Sequence, residues 1–210
     1  MDADDPDDDD GPASDPENPD DTPLDWETLG SEVDYTCPGF DVRRDDVRLP
    51  DGTETDFHYV DEPPAVVVLP FTPEGDVVLV EEWRQAVGRV NRGLPAGTVE
   101  AGDDVDLEAA ARRELREETG HKADSLTHLV TVEPENGIAN SIHHHFLARG
   151  CRPTAEQDLD FNESIRPVVA DYDAFRTAVF DGEIRDGRAI LAVSRYEAHP
   201  EELDDEPADG

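Results

Sequence analysis

Lysine is almost missing from this chain of 210 residues. Of its 17 basic residues only Lys122 is lysine, and the rest are arginine; against them stand 54 Asp and Glu, for a net charge of -37. A surface of that sign has no basic stripe to neutralise phosphates, which argues against nucleic acid or an anionic membrane as partner. Cysteine is scarce as well. Cys37 and Cys151 lie far apart and match no metal-ligand spacing, so they read as two ordinary thiols of a reducing compartment. Long apolar runs are lacking: the longest, A-V-V-V-L-P-F at 65–71, is much too short to span a bilayer. A basic start of the kind that opens a signal peptide is missing too, since the chain begins M-D-A-D-D-P-D-D-D-D. Together these gaps predict a soluble, cytoplasmic protein.

What is abundant is acid. One reading is a halophilic protein, whose acidic, lysine-poor surface stays hydrated and screened in concentrated salt; the other is a cation-buffering or basic-partner-binding protein. Acid runs through the whole chain instead of filling one tract, which favours the first.

Residues 1–24 are Asp, Pro, Gly, Ser and Asn with little that is apolar, and residues 200–210 repeat that composition. Neither stretch can bury enough surface to offset chain entropy, so both predict disordered acidic tails. Between them, residues 25–62 read as a small β subdomain, with alternating or aromatic positions broken by P-D-G at 50–52. Residues 63–199 form the main domain. P-A-V-V-V-L-P-F and D-V-V-L-V-E-E-W, joined by the turn T-P-E-G at 72–75, have the valine content of buried central strands. A glycine-bearing loop, R-G-L-P-A-G-T-V-E-A-G-D-D, leads into a helix over 106–119, with Asp106 as N-cap and Gly120 just past its end. Further strands are predicted near 125–134, 141–149 and 163–169, and helices over 171–180 and from Arg188 to Glu197. Strands and helices interleave while several strands are joined by short turns, so the fold class is α/β (α+β), a mixed sheet with helices packed on it.

The stretch A-R-R-E-L-R-E-E-T-G at 111–120 sits in that first long helix. With Glu114 set at zero and about 100° per residue, Glu118 falls at about 40° and Glu117 at about -60°. Leu107, Ala110, Ala111 and Leu115 lie between about -40° and 100°, whereas Arg112, Arg113 and Arg116 lie between about 160° and 260°. Acids that merely solvate a surface point outward, yet here they lean toward the protein. At an effective dielectric of about 20, each like-charged pair near 4 Å costs roughly 4 kcal/mol. A divalent cation relieves this, and oxygen ligands on adjacent turns suit Mg²⁺ or Mn²⁺. The competing reading pairs the acids with neighbouring arginines, as Arg113 and Glu117 could do at i,i+4. Ahead of the helix, L-P-A-G at 94–97 is a turn of small residues in which a carbonyl can approach a cation.

The segment G-T-V-E-A-G-D-D-V-D-L-E-A-A-A-R-R-E-L-R-E-E-T-G-H resembles the signature of the Nudix hydrolase family. The match is specific at Arg113, Glu114, Leu115, Glu117, Glu118 and Gly120, with His121 where an aliphatic residue is usual. The first half departs from the pattern: counted from Gly97, the position of the family's first Glu is Asp103, and nine residues instead of seven separate it from Arg113. Starting from Gly102 instead brings Glu108 into that place but leaves too few residues before Arg113. Over about residues 26–198 the chain most resembles the ADP-ribose pyrophosphatase group. The supporting stretches are L-P-A-G, E-W-R at 82–84, N-G-I-A-N-S-I-H-H-H-F-L-A at 136–148, D-F-N-E-S-I-R at 160–166 and D-G-E-I-R-D-G-R-A-I-L-A at 181–192.

That resemblance implies a Nudix-type α/β/α sandwich around a mixed β-sheet, with a small N-terminal antiparallel β subdomain that takes part in a homodimer. It implies a Mg²⁺ (or Mn²⁺) hydrolase acting on a small nucleotide diphosphate, with ADP-ribose giving AMP and ribose 5-phosphate as the leading case. Glu114, Glu118 and the Ala96 carbonyl are implied as metal ligands, with Glu117 and Glu163 as further metal ligands and catalytic acids. Arg113 is implied to orient the glutamates. The base is left open among Glu163, Asp160 and a carboxylate elsewhere. Arg84 is the candidate for substrate phosphate, since arginine matches phosphate geometry. Trp83 is a candidate for stacking on a base or a partner subunit, with core packing as the ordinary alternative. H-H-H at 143–145 is poorly suited to hold a metal, because neighbouring strand residues point to opposite faces. Rival functions are hydrolysis of another sugar nucleotide, a dinucleotide or an oxidised nucleoside triphosphate, and a non-catalytic nucleotide-binding regulator.

Overall fold

The computed structural model describes residues 24–100, 106–161 and 163–199, so the two tails and Asp103 lie outside the described residues. Two compact units emerge. One is built from residues up to Glu32 with Arg44–His58, the other from Val33–Arg43 and the residues from Tyr59 onward.

The first three strands, β1 (Glu27–Cys37), β2 (Phe40–Arg48) and β3 (Glu54–Asp61), form an antiparallel sheet in that order. Its turns use glycines with positive φ, Gly39 at 118° and Gly52 at 86°, where a side chain would be strained. Within the first unit Arg48 bridges Glu27 and Glu54, and Trp26 meets Phe57 edge-on at 5.8 Å.

The second unit is organised around two valine-rich strands, β4 (Ala65–Pro70) and β5 (Val77–Arg84). After them come β6 (Arg89–Gly93), β7 (Ala96–Thr98) and α1 (Leu107–Thr119). The chain continues through β8 (His121–Lys122), β9 (Ser125–Val132), β10 (His143–Arg149) and β11 (Arg152–Pro153). It ends with β12 (Ile165–Ala170), α2 (Tyr172–Phe180) and α3 (Gly187–Ala198). One sheet has the order β7-β4-β10-β9, another β12-β5-β6, and β11 pairs with β8. β4 and β10 run parallel while their other neighbours are antiparallel, so the sheet is mixed.

Alternation along β4 shows how the layers stack. Val66 and Val68 pack with Ala110, Ala111 and Leu115 of α1. Val67 and Leu69 pack with Phe175 and Val179 of α2 and with Ala189, Ala192 and Val193 of α3. A strand covered on both faces must be apolar at every position, which is why the run of valines was readable. Each such side chain contributes roughly 1.5–3 kcal/mol by leaving water. The result is an α/β/α arrangement.

The helix ends follow capping chemistry. Asp106 accepts from the Ala109 amide at 2.9 Å and Gly120 closes α1 at φ 72°. Asp171 and Asp186 cap α2 and α3 in the same way, at 2.8 Å and 3.0 Å. β7 and the last two residues of β6, Arg92 and Gly93, lie in the stretch that reads as a loop. β7 is three residues centred on glycine and has no β-propensity of its own; it is a strand because Ala96, Gly97 and Thr98 pair with Val67, Val66 and Ala65. Among the described residues no helix is long and apolar enough to cross a membrane.

Candidate active site

The site begins where β7 lies against α1. A Cβ added at Gly97 would fall 2.2 Å from the carboxyl carbon of Glu114, so only glycine lets strand and carboxylate share that space. One residue earlier, the Ala96 amide donates to Glu118 Oε2 at 3.0 Å. One residue later, the Thr98 carbonyl accepts from Arg113 NH2 at 3.0 Å. Three consecutive residues of β7 therefore meet three residues of the acidic helix.

Glu114 and Glu118 are buried, at 8% and 4% exposure, on the same stripe as Ala110, Ala111 and Leu115. Burial pushes Glu114 up to about 7, against the pull of Arg113. Burial also pushes Glu118 up to about 8, against the Ala96 amide and reinforced by the carboxylate of Glu114. Glu117 sits at the rim, a quarter exposed, and takes Arg113 NH1 at 3.1 Å and Arg116 NH2 at 2.7 Å. Arg113 belongs to the outer side of the helix by angle, yet its side chain folds back. NH1 also donates to Glu114 at 2.7 Å and reaches Glu100 at 3.4 Å. Its angular position is only about 40° from Glu117, and a long side chain covers that gap. The acids Glu114 and Glu118 thus face inward, and Arg113 bridges Glu114 and Glu117.

The loop before β12 closes another side. Gln157 donates to the Glu118 carbonyl, and the Asp158 amide donates to the Glu117 carbonyl at 2.9 Å, which ties the loop to the end of α1. Farther on, Glu163 Oε2 accepts from the Asp160 amide at 2.9 Å, and both residues line the cleft. That cleft, of about 410 Å³, is also lined by Ala96, Gly97, Arg113, Glu114, Glu117 and Glu118. Arg84 lines it as well, from the end of β5, and pairs with Glu82 at 2.8 Å. Burial, and then the nearby Arg188, lower Arg84 from its usual value.

Trp83 takes the other face of β5. It is 49% exposed, its Nε1 donates to Gln85 at 2.9 Å, and it is not among the residues lining the cleft. The three histidines split as alternation requires. His144 bonds Thr131 at 2.9 Å, whereas His143 and His145 have ring centroids 6.4 Å apart. His143 lines the cleft, and His145 is buried and pushed down to about 4 by that burial. Sequence reasoning did not single out Glu100, Asp158 or Arg188. Nothing local marks Asp158 or Arg188, because folding alone brings them to the cleft.

The donor set fits a hard divalent cation. Two buried carboxylates with raised proton affinity are held side by side, Glu118 with a single backbone donor, beside a rim carboxylate and a glycine strand that leaves them room. Among the described residues no three His, Cys, Asp or Glu side chains already converge as a ligand set. The reason is visible in the bonds: Glu114 is turned to Arg113 and Glu118 to the Ala96 amide.

Comparison with known proteins gives the same site a lineage. The NUDIX domain model matches residues 61–193, and the model for the nucleoside diphosphate sugar hydrolase N-terminal domain matches residues 26–60. The chain is 31% identical to an ADP-ribose pyrophosphatase of Bacillus subtilis, over 81% of this chain and 91% of that protein. It is 34% identical to an ADP-ribose pyrophosphatase of Mycobacterium tuberculosis, over 87% of this chain and 91% of that one. A crystal structure of an ADP compounds hydrolase shares the fold with a TM-score of 0.72 at 21% identity, covering 85% of this chain and 96% of that one. With its acidic helix, glycine strand and N-terminal sheet, the chain belongs to the Nudix family, as a pyrophosphohydrolase similar to the ADP-ribose pyrophosphatases.

Proposed function

We propose that this protein cleaves the diphosphate link of a nucleoside diphosphate compound in a Mg²⁺-dependent reaction, with ADP-ribose as the leading substrate and AMP and ribose 5-phosphate as products. The observation that carries this reading is the pair Glu114 and Glu118, buried beside Gly97 in a cleft that Arg84 also lines. The similarity to two ADP-ribose pyrophosphatases supports the choice of substrate.

Glu114, Glu118 and the Ala96 carbonyl would hold the ion, with Glu117 and Glu163 as further ligands. When bound, the ion screens the diphosphate charge and acidifies water. The protein's own groups do the rest. Arg113 fixes Glu114 and Glu117 through one guanidinium and is itself fixed to the Thr98 carbonyl. Arg84 binds a phosphate oxygen of the substrate. Glu163, anchored by the Asp160 amide through one carboxylate oxygen, takes the proton of the attacking water on the other. Water adds to one phosphorus, the bridging P–O bond breaks, and the leaving phosphate carries away the bridging oxygen.

A second copy of the chain is the proposed cover for β1. Leu29, Val33 and Tyr35 alternate along that strand and are 43%, 45% and 59% exposed, which fits a homodimer. Sedimentation of the full chain tests this: a dimer is expected, and a monomer at micromolar concentration removes it. The acidic surface is further read as that of a halophile's cytoplasmic enzyme, so activity is expected to rise with salt and to survive loss of both tails.

The reaction is tested with a panel of ADP-ribose, other sugar nucleotides, dinucleotides and oxidised nucleoside triphosphates, with Mg²⁺ and molar salt. Chromatography should show AMP and ribose 5-phosphate from ADP-ribose at the highest kcat/KM. Cleavage of no diphosphate compound, with nucleotide still bound, would move the protein to the regulatory reading.

A further inference from the structure

Arg188 lies far beyond the acidic helix in sequence and shares its cleft. It is the second residue of α3, directly after the Asp186-Gly187 start. Asp186 is buried and already engaged twice before it meets this arginine. Its Oδ1 accepts from the Ala189 amide at 3.0 Å and its Oδ2 from Asn91 at 2.8 Å, while Arg188 stands at 3.4 Å. Asn91 is fixed in turn by Arg89, at 2.8 Å. Close approach of β6 completes the anchor, since a Cβ at Gly93 would fall 3.1 Å from Asp186. A network between β6 and α3 thus holds the root of Arg188 at the wall of the cleft.

Arg188 and Arg84 reach that cleft from different elements, and Arg188 lies close enough to disfavour the charge of Arg84. Placing two cations together is unfavourable, and a chain this acidic has no shortage of carboxylates with which to separate them. Arg112 and Arg116 illustrate the usual solution, each bonded to a glutamate at 2.7 Å. Among the described residues Arg188 has a single long ion pair, which occupies one of the five N–H donors of its guanidinium. Among the same residues Arg84 has one ion pair, with Glu82. The glutamates of α1 line the same cleft, so it presents carboxylates and guanidinium groups together. Such a set suits a ligand with several negative charges, met by a cation at the carboxylates and by arginine forks beside them.

We propose that Arg188 is a substrate-binding residue and that Arg188 and Arg84 together clamp the diphosphate of the substrate. This deepens the reading that the cleft takes a nucleoside diphosphate compound and rests on it. The clamp also gives a strongly anionic chain a local positive pair with which to admit an anion.

The test uses methylenediphosphonate, which carries two linked phosphonates, cannot be cut at the bridge and has no nucleoside. Its affinity for the full chain in Mg²⁺ is measured by calorimetry for wild type, Arg84→Gln, Arg188→Gln and Arg188→Lys. Each glutamine variant is expected to weaken binding about tenfold or more. Arg188→Lys is expected to fall between, because it keeps the charge and loses the planar fork. It also keeps a cation beside Asp186, so it decides the matter if Arg188→Gln fails to fold. Wild-type affinity in both Arg188 variants, or no binding by wild type, overturns the clamp. Hydrolysis of ADP-ribose is read separately. An intact clamp without hydrolysis counts against the proposed substrate alone, and hydrolysis with an indifferent Arg188 counts against the clamp alone.

Discussion

Gly97 and Glu114 occupy one space: the missing Cβ of the glycine is the room in which the glutamate carboxyl group sits, 2.2 Å from where that carbon would be. The atom that must yield to any side chain there is the far end of Glu114, not backbone. Gly97→Ala should therefore fold, with stability changed by about 1 kcal/mol. Its carboxylate is displaced, so kcat/KM is expected to fall at least a hundredfold. Denaturant unfolding and steady-state kinetics on the same preparation check both halves. Full activity would show that Glu114 need not lie where it does.

The two buried glutamates make a pH prediction for the protein in EDTA. Their folded values, about 7 for Glu114 and about 8 for Glu118, lie above the ordinary value of 4.5. The folded chain therefore binds more protons than the unfolded chain across that window. Their stabilising contribution is complete below about 4.5 and is lost as pH rises through 7 and 8. Other acids titrate too, so the quantity to follow is the difference between wild type and Glu118→Gln. Thermal midpoints between pH 5 and 9 should show the variant gaining on wild type as pH rises. Mg²⁺ should reverse this, because it binds the deprotonated pair and stabilises more at higher pH. Parallel curves in EDTA would contradict the burial argument.

Arg113→Lys tests the bridge over the helix. Lysine keeps one charge but cannot hold Glu114, Glu117 and the Thr98 carbonyl from one planar group. A loss of about tenfold to a hundredfold in kcat is expected, with a smaller change in KM. A change confined to KM would reassign Arg113 to substrate binding.

Much of this was legible in the sequence, and the reasons differ by element. β4 was readable because a strand covered on both faces must be apolar throughout. α1 was readable because its caps, Asp106 and Gly120, and its inward acids are all local signals. β7 was not, since a strand of three residues exists only through its partner β4. The fold-back of Arg113 was hidden because an angle on a helical wheel fixes where a side chain starts and not where it ends. Arg188 was invisible for a different reason: Arg84, with which it shares the cleft, is about a hundred residues away. Trp83 drew notice next to Arg84, but strand alternation sends the two to opposite faces.

Glu163→Gln addresses the base. Removing the carboxylate of that residue should lower kcat about a hundredfold or more with KM little changed. Wild-type kcat in Glu163→Gln, with kcat lost in Asp160→Asn instead, would move the proton acceptor to Asp160, which lines the same cleft.

The most direct measurement is Mn²⁺ binding followed by electron paramagnetic resonance in molar salt at pH 8, for wild type and Glu118→Gln, with turnover measured alongside. A divalent ion held by α1 predicts a tight site in wild type, at least tenfold weaker in the variant, and turnover lost with it. Equal Mn²⁺ affinity and equal turnover in the two proteins would contradict the account.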